Sequence, residues 1–195
     1  MKMMIAATLA LLFALPAAAA ESAAEEKREE AEGRCAAVFV NVGGAIPPQK
    51  LWEVASRVSA SLGVRIDTNA VEKTALAGLM DGTGAPLKRT GKDRAVYVFF
   101  RNSPGAPSVV ASPRRWAVVN TAPLGTDKPA PPLLGERMAK VALRGLAYAS
   151  GGGATMEKNC LMSPACDTLE GLDAAPFAIS PMAYIPMLEF LNPAD

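Results

Sequence analysis

The stretch "RGLAYASGGGATMEKNCLM", residues 144–162, runs a helix-like segment into three consecutive glycines and then a Cys-Leu-Met turn. Just upstream, Leu134, Met138, Val141, Ala142, Gly145 and Ala149 keep one face at helical spacing, while Arg137, Lys140, Arg144 and Tyr148 share another. Gly151 to Gly153 read first as a helix stop, the commonest use of glycine at such a position. The whole chain contains no histidine. Without imidazole there is no Ser-His-Asp set, and a cysteine nucleophile lacks its usual base. A phosphate loop is excluded too, because "GGGATMEK" (151–158) lacks the GxxxxGK[ST] spacing and follows a helix instead of a strand.

The elements around this stretch describe a layered α/β domain. "AAVFVNV" (36–42) is an apolar, β-branched and aromatic run that fits a buried strand. "QKLWEVASRVSASLG" (49–63) places Leu51, Val54, Ala55, Val58 and Leu62 on one helical face and ends in glycine. "VRIDTN" (64–69) predicts a second strand, followed by a shorter helical stretch over about 71–80. "RAVYVFF" (94–100) and "RWAVVNT" (115–121) predict two more strands, separated by a turn-rich loop, "RNSPGAPSVVASP". The proline-rich "APLGTDKPAPP" (122–132) connects to the helix that leads into the opening stretch. Alternating strands and helices predict a mainly parallel sheet with helices packed on it.

The chain ends frame that domain. "MKMMIAATLALLFALPAAAA" (1–20) has one Lys, an apolar run and small residues at its end, the layout of a signal peptide cut after Ala20. Export is therefore expected, with no membrane span after cleavage and no lipid anchor, since no Cys stands at the cut. Residues 21–34 form a charged tail, and residues 35–195 are expected to fold as one domain. Losing Lys2 takes the 20 basic residues to one fewer, matching the 19 acidic ones, so nothing argues for a nucleic-acid partner. Of Cys35, Cys160 and Cys166, one is left over or pairs between chains; in an oxidising compartment a local Cys160–Cys166 disulfide around Pro164 is expected, leaving Cys35 free.

The segment "RMAKVALRGLAYASGGGATMEKNCLM" (137–162) resembles the zinc-binding segment of archaemetzincins, metallopeptidases of the metzincin clan whose pattern is HExxHxxGxxHCxxxxCxM, with a later CxxC. Gly151 falls on the family's glycine, and Cys160 and Met162 fall on CxM without a gap. In that register Arg144, Tyr148 and Ala154 stand where the three zinc-binding histidines would be, and Gly145 stands at the general-base Glu. Thr155 replaces the first family cysteine, Cys160 keeps the second, and Ser180 and Ala183 of "SPMA" replace the final pair. "LMSPACDTLEGLD" (161–173) resembles the Met-turn and the start of the C-terminal helix, with Met162 as a core side chain below the site. The likeness in element order extends over roughly residues 36–191.

The resemblance implies a metzincin-like α/β fold, with a twisted mixed sheet, packed helices and a mostly helical part from Thr168 onwards. It also implies lost chemistry. Family catalysis needs two histidines one helical turn apart, a third beyond a glycine bend, and a Glu that takes a proton from zinc-bound water. A guanidinium at position 144 repels a divalent cation instead of ligating it. The expectation is a chain with no catalytic metal, no cofactor and no metzincin-type peptidase activity. A structural zinc site contributes roughly 10–16 kcal/mol of apparent binding energy; packing of Ile179, Met182, Ile185, Met187 and Leu188 is expected to replace it. Function is then expected to be binding: a peptide or protein held in the vestigial cleft, pairing with an edge strand such as "RWAVVNT", with Arg144 and Tyr148 as a polar face above it. The alternatives are a structural envelope protein and an active metallopeptidase with an unrecognised metal site. No oligomeric state follows from the sequence.

Overall fold

The apolar residues 36–42 form the core of β1 (Cys35–Val42), the strand around which the sheet is built. The computed structural model describes residues 35–71, 95–112 and 116–191. Pro47 and Pro48 then open α1 (Pro48–Leu62), whose Leu51, Val54, Ala55, Val58 and Leu62 are buried as the spacing predicts. Gly63 ends it in the left-handed conformation, with its N–H donating to Ser59 O. β2 (Arg65–Val71) follows and pairs with β1 in parallel. The helical stretch expected over 71–80, the leader, the charged tail and Cys35's side chain lie outside the described residues, except that Val71 is the last residue of β2.

β3 (Val96–Arg101), β4 (Val109–Ser112) and β5 (Trp116–Asn120) complete a sheet of order β2-β1-β3-β5-β4. All pairings are parallel except β4 with β5, so the sheet is mixed. β4 corrects the expectation of a loop over 101–113: its two valines are too short a run to show alternation, and pairing with β5 makes the strand. Side chains alternate across β1, with Ala37 and Phe39 joining the main core and Val38, Val40 and Val42 a second cluster with Phe99 and Val118.

The main core is closed by α1 and by α2 (Pro131–Ala149), which starts before the predicted Leu134. Two prolines can occupy its first turn because N–H groups there have no partner within the helix. After it, a short 3-10 turn (Pro164–Asp167) leads to α3 (Leu169–Ala174) and then α4 (Pro181–Leu191). Thr168 caps α3 by accepting from Gly171 N–H, and position 171 admits only glycine, since a Cβ would lie 1.9 Å from Ala165 O. In α4, Ala183, Met187 and Leu191 face inward. Met182 (80% exposed) and Ile185 (56% exposed) do not pack on the core as expected, because a helix buries one face and theirs is the other. Ile179 and Leu188 are partly buried against the core.

Candidate functional site

The polar face of α2 is not a solvent face. Arg137, Lys140 and Arg144 are all 2% exposed, covered by the chain from Ser163 to Asp173. Each cation meets acceptors there. Arg137 holds both carboxylate oxygens of Asp127 (2.6 and 2.8 Å) and of Asp173 (2.7 and 2.6 Å), and donates to Leu124 O. Lys140 donates to Leu172 O and Asp173 O, carbonyls at the C-terminal end of α3, and pairs with Glu136 at 3.0 Å. The guanidinium of Arg137 holds the carboxyls of Asp127 and Asp173 below the ordinary aspartate range, and its own pKa is raised in return, first by Asp173 and then by Asp127.

Arg144 stands at the position the resemblance assigns to the first zinc ligand. Its Nη1 lies 2.7 Å from Asp167 Oδ1, and Nη2 donates to Ser163 O and to the Tyr148 hydroxyl, each at 3.3 Å. The guanidinium carbon also sits 5.5 Å from the centre of the Tyr148 ring. The Nη1 contact is close but not aligned as a hydrogen bond, so Nε and Nη1 both lack an aligned acceptor. Burial opposes the charge of Arg144, but the interactions with Tyr148 and Asp167 outweigh it and raise its pKa.

Of the other vestigial positions, Gly145 packs against the sheet: a Cβ there would lie 3.2 Å from Ala117 Cβ and 3.3 Å from Val109 Cγ2. Gly151 ends the helix with φ 93°, and Ala154 is exposed on the following loop. Met162 is fully buried in the main core. The structure thus joins Arg144 and Tyr148 directly and sets Gly151 and Ala154 on the surface. Among the described residues, no group of three or more His, Cys, Asp or Glu stands where it could hold a metal ion.

Of the positions that the resemblance matches to the family's four cysteines, Cys160 and Ser180 are in contact. Cys160 Sγ accepts from Ser180 N–H at 3.0 Å and from Met162 N–H at 3.3 Å, Ala183 N–H donates to Ser180 O, and Thr155 N–H donates to Met162 O. The expected Cys160–Cys166 disulfide is not formed; both thiols are free and buried. Cys160 sulfur is committed to those two amides, whereas the Cys166 thiol turns towards Cys160 O and Gly171 O at 3.6 and 3.8 Å. Burial pushes the Cys166 pKa up.

The expected docking strand also needs correction. "RWAVVNT" is β5, which has β3 on one side and β4 on the other, so its main chain is already paired. β4 is the edge. A groove of about 300 Å³ opens at the start of β4, lined by Pro107, Pro123, Leu124, Asp167, Leu169 and Leu172 among others. Asn120, fully buried, shapes its wall: the side chain accepts from Ser103 N–H and donates to Ser103 O and Ala106 O. Asn120, Asp127, Asp167 and Asp173 were not legible as site residues, because their partners lie 10 or more residues away in sequence, up to 36 for Asp173.

A mixed sheet with an antiparallel edge strand, a glycine-ended helix and a buried Met-turn define an α/β fold of the metallopeptidase type, here without histidine. More narrowly, the fold is that of the archaemetzincins. The archaemetzincin from Methanopyrus kandleri is 22% identical, with a TM-score of 0.59, over 82% of this chain and 96% of its own. A zinc-dependent peptidase from Methanocorpusculum labreanum gives a TM-score of 0.61 at 16% identity, over 77% of this chain and 99% of its own. The archaemetzincin from Archaeoglobus fulgidus, in complex with malonate, gives 0.53 at 14% identity, over 76% and 98%. No protein-family model and no curated protein matches the chain in sequence.

Proposed function

We propose that this is an exported protein that has kept a metallopeptidase fold without its hydrolytic chemistry and binds an extended peptide or protein segment. The observation that carries the reading is Arg144: a buried guanidinium, tied to Ser163 O, Tyr148 and Asp167, stands where the resemblance places the first zinc ligand. A permanent cation there opposes metal binding, and no carboxylate at position 145 can activate water. The binding side rests on β4, whose outer edge is unpaired in the sheet, and on the groove beside it. An extended segment adds to such an edge by main-chain pairing, and a preformed apolar groove accepts one of its side chains.

Two measurements on the mature protein test this. Incubation with zinc and a fluorogenic peptide is expected to give no hydrolysis above the zinc-only control; hydrolysis that tracks one tightly held zinc sinks the inactive reading. On an array of peptides, binding is expected to disappear in Ala106→Trp, which fills the groove from its wall. Peptides held equally by both proteins place the binding elsewhere.

A further inference from the structure

We infer that Arg144 is a carboxylate-exchange site, and that the segment recognised is a chain end: a free C-terminal carboxylate following an apolar residue. This rests on the peptide-binding reading above. Asp167 touches both parts of the arrangement. It lines the groove, and its Oδ1 lies 2.7 Å from Arg144 Nη1. Its side chain is 68% exposed, so it is a carboxylate standing mainly in water against a cation that is almost wholly buried. The carboxylate side of the pair is therefore open to solvent. The pair is also poorly made, because Nη1 and Nε have no aligned acceptor although both are inaccessible to water. A carboxylate that approaches Nη1 in line with its N–H groups makes a better partner than the oblique contact that Asp167 provides.

Exchange of one carboxylate for another conserves charge at Arg144, and Asp167 needs only to swing further into solvent it already meets. The groove then supplies the second half of the recognition. Pro107, Pro123 and Leu169 offer apolar surface to the last side chain of the incoming segment, with Leu124 and Leu172 buried beneath them. An internal peptide segment can pair with β4 and enter the groove, but it brings no terminal carboxylate to Arg144.

The test uses the mature protein, its Asp167→Ala variant, and two pools of short random peptides ending in leucine, one with free C-termini and one amidated. The free-acid pool is expected to bind at least about tenfold more tightly than the amidated pool, the loss expected for a missing charged partner. Asp167→Ala removes the competing carboxylate, so it is expected to tighten free-acid binding roughly twofold to fivefold relative to its effect on the amidated pool. Equal binding of the two pools, or free-acid binding that Asp167→Ala does not strengthen relative to amidated binding, overturns the exchange site and leaves the peptide-binding reading standing. Absence of binding to either pool by both proteins overturns both. Asp167→Ala leaves the buried Arg144 without its carboxylate, so some loss of melting temperature is expected; a cooperative circular-dichroism melt above the assay temperature establishes that the comparison is between folded proteins.

Discussion

Arg137 and Asp173, 36 residues apart in the chain, are joined by two charge-assisted hydrogen bonds of 2.7 and 2.6 Å. Arg137 belongs to α2 and Asp173 to α3, so this pair fastens the segment after the Met-turn to the central helix. Lys140 and Arg144 repeat the arrangement further along α2. The chain thus has a row of cations on one helix face, each meeting oxygen acceptors.

Stability is expected to fall in acid. Asp127 and Asp173 have native pKa values lowered chiefly by hydrogen bonds from Arg137. Their unfolded forms take up protons first as pH falls below the ordinary aspartate value of about 3.9, so the stabilisation present above that pH is lost through the lowered native values. Asp173→Asn is expected to lower the melting temperature at neutral pH and to flatten its decline in acid. Melts from neutral pH down to about pH 3 check both; an unchanged acid slope means that other groups dominate.

Replacing Gly145 with glutamate is expected to destabilise the fold and to restore no hydrolysis. The Cβ alone would press on Ala117 and Val109, and the carboxylate would begin in an apolar contact between helix and sheet. Overpacking and an unpaired buried charge together cost about 3 kcal/mol or more. Urea titration reads the loss; a variant as stable as wild type shows that the β4 contact yields.

The two described thiols are expected to resist alkylation in the native protein and to react after denaturation. Both are buried, and the raised pKa of Cys166 keeps its nucleophilic thiolate scarce. Mass spectrometry with and without reductant is expected to show no Cys160–Cys166 bond. A mass difference localised to these two cysteines contradicts the free-thiol arrangement.

The two sides of α4 are expected to respond differently. Met187→Ala opens a cavity in the core and costs about 2–5 kcal/mol, whereas Met182→Ser, on the outer side, stays within about 0.5 kcal/mol. Equal effects in denaturant unfolding place the exposed side against something else.

The main elements were legible because their signals are local. β1 is a continuous apolar run, α1 has an uninterrupted apolar stripe closed by Gly63, and α2 runs into Gly151 in the left-handed conformation. β4 was not legible, since four residues carry no period and their strand character comes from β5. The same lack hid the identity of the edge: periodicity marks β5 as a strand but says nothing of what lies on either side of it.

The sequence by itself determined that the 195 residues supply no imidazole and that an α/β layer would form; the assignment of Arg144, Gly145, Tyr148 and Ala154 to metzincin-type positions rests on the resemblance. Composition and short-range spacing suffice for such statements. The tertiary structure alone decided that the cationic face of α2 is buried and paired, that Cys160 binds amides instead of Cys166, and that β4 is an edge strand beside a groove. Each depends on partners brought together from distant parts of the chain. A helical pattern shows which side chains share a face, but what covers that face is set by the packing of the residues that follow.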